Sequence, residues 1–284
     1  MTNLRSVFRA DKLIFAFFGF LVAIMGNLLS DYLPQLGRPA VILFLFLLAM
    51  VGFVFLLFKA RGQRLRVVIN RFVTLRDPEE RRREARRGLI VFVSLYNPSH
   101  TSKAKGLTAQ EKQEAAKSLN YETLDLENSN LQPAIEAVFA HASRLEHCWL
   151  VSTTATGEGA GSSLAYASVL ARYLTKVKGT QCQFYGTSDS RYAVSLDEDS
   201  AVTTKTRDLI RHIFDEAAGL GLGKKDLVAD FTGCPKGMTL GLILACLSNA
   251  RDIQFMGTHY NDLAQPVGGL YPVLFDFGVE ASPD

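Results

Sequence analysis

The run Asp230-Phe231-Thr232-Gly233-Cys234-Pro235-Lys236-Gly237-Met238 decides the fold, because a strand, a turn and a helix meet in it. Upstream, Asp226 to Phe231 is a short apolar stretch set off by Gly223-Lys224-Lys225, the pattern of a buried strand. Downstream, Met238 to Asn249 is apolar nearly all round, as in a helix packed on a sheet. Thr232, Gly233 and Gly237 lie between them, with Pro235 at the expected first helical position and Lys236 beside it. A turn of this kind offers free backbone N–H groups and one cation to an anion.

The same alternation extends in both directions. Strands are expected at Leu89 to Ser94, Tyr121 to Leu126, His147 to Thr153, Gln181 to Gly186, Arg251 to Gly257 and Leu270 to Phe275. Helices are expected at Thr108 to Leu119, Leu131 to Ala142, Ser162 to Val177 and Ser200 to Ala218. Such regular alternation predicts an α/β, Rossmann-like domain with a mainly parallel sheet, spanning 88–284.

Ligands of such sheets bind beyond the carboxyl ends of the strands, so the loops there are the candidate site. After the first strand comes Ser94-Leu95-Tyr96-Asn97-Pro98, in which Tyr96 is suited to stacking on a base and Ser94 and Asn97 to hydrogen bonding. The loop from Thr153 to Ser163 is rich in hydroxyls and glycines and contains Thr154, Thr156 and Gly157. The third loop contributes Thr232, Gly233, Cys234, Lys236, Gly237 and Met238. Other phosphate motifs fail on context. Gly157-x-Gly159 lacks the third glycine of a dinucleotide fingerprint and follows the wrong strand, and Gly219 to Lys225 is one residue short of a phosphate loop and has no following Ser or Thr. No Gly-x-Ser-x-Gly elbow is present.

The front of the chain has a different character. Leu13 to Leu29 is a 17-residue run whose one polar residue is Asn27, and Ala40 to Phe58 is a 19-residue run with none. Both match the roughly 20 apolar residues needed to cross a bilayer, so residues 1–58 are expected to form a transmembrane hairpin with helices at about 13–33 and 40–58. Cations flank the outer ends (Arg5, Arg9, Lys12; Lys59, Arg61, Arg64, Arg66), whereas the loop between the runs carries only Arg38. The positive-inside rule then puts both termini in the cytoplasm of a multi-pass protein, in a bacterial setting the cell inner membrane. Residues 59–87 form a basic juxtamembrane connector in which Asp77-Pro78-Glu79-Glu80 starts a helix running through Arg87. It reads equally as a headgroup-bound transmitter of motion and as a solvated anchor.

Charge separates these parts. Residues 1–88 hold 15 Lys and Arg against 6 Asp and Glu, a net of +9, which against +3 for the whole chain leaves −6 for the rest. An acidic rear domain argues against binding DNA or long RNA. Cys148, Cys182, Cys234 and Cys246 show no Cys-x-x-Cys spacing, and the five histidines show no ligand spacing. Reduced core thiols and no metal or cofactor are expected.

The segment Asp230 to Met238 resembles the Asp-x-Thr-Gly-Gly-x-Lys-x-Met signature of CARF domains, the Rossmann-like sensors of CRISPR systems, departing from it at Cys234, where the family usually has its second glycine. The resemblance covers roughly residues 88 to 280. It implies a homodimer whose paired loops bind cyclic oligoadenylate, a ring of four or six adenylates. With a membrane hairpin in place of the usual nuclease, it implies a membrane effector of antiviral defence, contacting lipids and assembling further in the membrane. Three alternatives stay open: a ring nuclease using Lys236 and Thr232, a two-helix effector of another cyclic-nucleotide defence system, and a tethered regulator that binds a partner protein.

Overall fold

The computed structural model describes residues 64–156, 161–249, 251–262 and 266–282, together with Gly52. The chain divides into two compact units, Leu65–Glu280 and Met1–Arg64 with Ala281–Asp284; nearly all of the latter lies outside the described residues, as do both apolar runs expected to form the hairpin except Gly52. Among the described residues no helix is long and apolar enough to cross a membrane.

The larger unit is an α/β domain on one mixed sheet. Its elements are β1 (Arg64–Thr74), α1 (Pro78–Glu84), β2 (Gly88–Phe92), α2 (Ala109–Lys117), α3 (Tyr121–Leu124), α4 (Gln132–His141), β3 (His147–Thr154), α5 (Leu164–Lys176), β4 (Gln183–Tyr185), β5 (Ala193–Ser195), α6 (Asp199–Gly219), β6 (Leu227–Asp230), α7 (Lys236–Asn249), β7 (Asp252–Tyr260) and β8 (Pro266–Ser282). The strand order is β1-β8-β7-β6-β2-β3-β4, with β5 on β3. The run β7-β6-β2-β3-β4 is parallel, and β8 lies antiparallel on β7.

Alternation along the central strands builds two cores. Leu89 and Val91 point to a layer formed by α2 to α5, and Ile90 and Phe92 to a layer formed by α6 and α7. Every residue of β2 is buried, which explains why it reads as a continuous apolar run. Helices α6 and α7 approach closely at Gly241 of α7, where a Cβ would come within 2.4 Å of the Thr203 carbonyl oxygen on α6.

Four local readings are corrected. Tyr121 to Leu126 is no strand: Asn120 accepts from the Thr123 N–H to start α3, and Asp125 takes φ 50°. This left-handed turn buries Leu124 and Leu126 together, so two apolar residues spaced like a strand belong to a turn of helix. The helix expected to run from Asp77 through Arg87 ends at Glu84, because Ala85 is extended (ψ 138°). The stretch before it, part of the expected connector, is strand β1 at the sheet edge, and Leu75 just beyond is 1% exposed and gives its N–H to Pro272 O at 2.8 Å. Pro235 lies one position ahead of its expected place, its carbonyl accepting the first helical bond from Thr239.

Candidate functional site

The chain order of the parallel strands reverses at β2. From β2 it runs outward through β3 and β4, then returns to β6 and β7 on the other flank. Such a switch point parts the loops at the carboxyl ends of the strands and leaves a crevice between them. A cleft of about 390 Å³ lies there, lined by Phe92 at the end of β2 and Val93 to Leu95 beyond it, Thr153 on β3, Leu196 after β5, Asn130 before α4, and Gly233, Cys234, Pro235 and Met238 after β6.

Each wall has a local cause. Gly233 takes φ +70°, a conformation that L side chains rarely adopt, and this turns the chain from β6 into α7. Its carbonyl accepts the Ser94 hydroxyl at 2.8 Å, tying the first loop to the third across the cleft. Asn130 braces the first loop with both ends of its amide, accepting from the Asn97 N–H at 2.7 Å and donating to Leu95 O at 2.7 Å. Thr156 N–H donates to Asp197 Oδ1 at 2.6 Å, which pins the start of the glycine-rich loop to the turn after β5. Hydrogen bonds from the Thr156 N–H and the Ser195 hydroxyl hold the Asp197 carboxyl below its ordinary range.

The sequence-predicted residues divide into three groups. Ser94, Gly233, Cys234 and Met238 line the cleft. Met238 is fully buried beneath it, and burial pushes the Cys234 thiol up to about 12, which keeps this wall of the cleft neutral. A second group supports the cleft without lining it. Thr232 is spanned by hydrogen bonds, its N–H to Asp230 Oδ1 and its hydroxyl accepting the Met256 N–H, both at 2.7 Å. Gly237 packs against Val202 on α6 and accepts the Thr203 hydroxyl at 3.1 Å. Thr154 gives its carbonyl to the Leu196 N–H. Asn97 and Thr156 are exposed at the rim, held through their backbone N–H groups. Lys236 is exposed at the first turn of α7, adding a cation to the positive end of that helix.

Tyr96 stands apart from all of these. It is 7% exposed, its ring stacks on Tyr166 at 5.7 Å, and its hydroxyl donates to Leu124 O. Burial raises its hydroxyl to about 12. Its ring is core, and Leu95, 43% exposed, is the apolar side chain that this loop offers the cleft. Gly157 lies outside the described residues.

Asn130, Leu196 and Asp197 were not legible as site residues. An Asn and an Asp in turns are ordinary in any sequence, and only the fold brings them to this edge. All four cysteines are free, and among the described residues no group of three or more His, Cys, Asp or Glu stands together as a metal site would require. The chain matches no protein-family model and no curated protein. Fold and cleft together define an α/β protein with a polar-rimmed crevice at the switch point of a mainly parallel sheet.

Proposed function

We propose that the protein is a membrane-anchored effector of CRISPR type III antiviral defence that senses cyclic oligoadenylate in this cleft and perturbs the membrane when the ligand binds. The observation that carries this reading is the meeting of Ser94, Thr153 and the Gly233–Met238 turn in one crevice at the switch point. The left-handed Gly233 and the first turn of α7, which carries the exposed Lys236 and no acidic residue, suit a phosphodiester. Asn130 and the rim threonines suit bases and ribose hydroxyls.

A homodimer fits this reading. A cyclic ligand with two-fold symmetry matches an isologous interface in which each chain gives half the contacts. Leu240 and Leu244, 51% and 42% exposed and one turn apart on the helix that leaves the cleft, offer an apolar face for the second copy. The hairpin 1–58 supplies the inner-membrane anchor with both termini cytoplasmic, and a pore requires several hairpins.

Calorimetric titration of the full-length protein in nanodiscs against cyclic tri-, tetra- and hexaadenylate tests the proposal. One ring of four or six adenylates is expected per two chains, recovered intact. Heats indistinguishable from dilution for all three rings overturn it, and linear products in the recovered ligand favour the cleaving alternative instead.

A further inference from the structure

A buried chain of hydrogen bonds crosses the layers behind the cleft. Asp230, Gln254 and His141 are 1%, 0% and 1% exposed. Asp230 ends β6, Gln254 is its register partner on β7, and His141 ends α4. Asp230 Oδ1 accepts the Thr232 N–H at 2.7 Å, and Oδ2 accepts Gln254 Nε2 at 3.1 Å. Gln254 Oε1 lies 2.8 Å from His141 Nε2, and His141 Nδ1 accepts the Arg86 backbone N–H at 3.0 Å.

The chemistry fixes every role in this chain. A backbone N–H only donates, so His141 Nδ1 is unprotonated and Nε2 carries the proton. That proton needs an acceptor, which orients the Gln254 amide with its oxygen toward His141 and its nitrogen toward Asp230. A flipped amide would set nitrogen against an N–H and oxygen against a carboxylate, two repulsive contacts among fully buried groups. Burial agrees with a neutral ring, holding His141 down to about 4, and it pushes Asp230 up to about 6 against the bonds from Thr232 and Gln254.

We infer that Gln254 and His141 are positioning residues for the Thr232–Gly233 turn, and that through them the turn and Arg86, which leads from α1 into β2, form one hydrogen-bonded unit. The inference rests on the proposed function only for what the turn binds. A ligand that displaces Thr232 must carry the chain with it or strand a buried donor or acceptor. The far end of the chain leads toward the basic segment: the Arg86 guanidinium pairs with Asp252 at 3.1 Å and Glu84 at 3.4 Å, and α1 packs on α4. Ligand affinity that differs between two arrangements of the turn therefore biases two arrangements of α1.

Site-resolved hydrogen exchange on the full chain in nanodiscs without ligand tests the chain directly, using Gln254→Met and the near-isosteric Asp230→Asn. The Thr232 and Arg86 amides are expected to exchange about tenfold faster in both variants, because residue 230 Oδ1 and His141 Nδ1 remain as their acceptors but lose the partner that orients them. Amides of Leu89 to Val91 are expected to stay within about twofold of the parent. An unchanged Arg86 amide in Asp230→Asn overturns the inference, and so does a uniform rise across all strands. Titration with cyclic tri-, tetra- and hexaadenylate then separates the two readings. If the parent binds no ring while both amides respond, the chain stands and the sensing function falls. If the parent binds and Gln254→Met binds equally well, the positioning role falls.

Discussion

Asp230→Asn and His141→Phe should change the pH dependence of stability in opposite directions. The folded state raises Asp230 from 3.8 to about 6, so between these values the native protein holds a proton that the unfolded chain has released. This group therefore lowers stability as pH rises from about 4 to 6. His141 is lowered from 6.5 to about 4, so here the unfolded chain holds the extra proton and stability rises with pH over nearly the same window. At about 1.4 kcal/mol per pH unit each effect amounts to about 3 kcal/mol, and in the parent they nearly cancel. Asp230→Asn leaves the histidine alone, so this variant should lose about 3 kcal/mol, relative to parent, on going from pH 6.5 to 4. His141→Phe leaves the acid alone and should gain a similar amount over the same acidification. Urea unfolding at half-unit pH steps, followed by fluorescence of Trp149, measures both; it is the chain's single Trp and is fully buried. Variant-minus-parent differences that stay flat from pH 4 to 7 would refute the reasoning, because all other titrating groups drop out of the subtraction.

Gly233→Val should destabilise the domain by about 1–3 kcal/mol through a β-branched residue at positive φ, read by thermal unfolding, and should abolish ring binding; normal binding would show that no ligand lies over this turn. Lys236→Ala should leave folding unchanged, since the side chain is exposed, and should weaken cyclic oligoadenylate by about 1.5–3 kcal/mol, the range for a charge-assisted bond; calorimetric affinity within twofold of the parent would remove the lysine from the site. Leu75→Ala should destabilise the domain by about 2–5 kcal/mol, as for a buried core leucine, whereas a residue in a solvated connector would unfold in urea like the parent.

The sequence made the alternation of parallel strands and two helical layers legible because β2, β3 and β6 are apolar on both faces and their helices are well separated. It concealed β1, whose apolar residues are interspersed with arginines and resemble a solvated connector until β8 supplies a partner. Tyr96 misled for a related reason: an aromatic residue in a candidate loop looks available, and its neighbours Tyr166 and Leu124 come from distant segments. The Asp230 chain left a faint trace, a glutamine inside Ile253-Gln254-Phe255 and a histidine ending an alanine-rich helix. Polar residues in apolar runs point to buried partners, but pairing Gln254 with His141 requires the layers to be assembled. The turn at Gly233 was legible because its geometry is local, whereas Asn130 and Asp197 became site residues only through the meeting of loops.

The pairing of β1 with β8 also sets an order of events during synthesis. The two strands are neighbours in the sheet yet lie roughly 190 residues apart in sequence, so at translation rates of about 5–20 residues per second β1 waits on the order of 10–40 s for its partner. During that interval β1 is an unpaired strand, and the far edge of β7 is open as well. Chains arrested before Pro266 should therefore be the aggregation-prone species of this protein, and a holdase that recognises open strand edges should associate with nascent chains of intermediate length and release them once β8 has emerged.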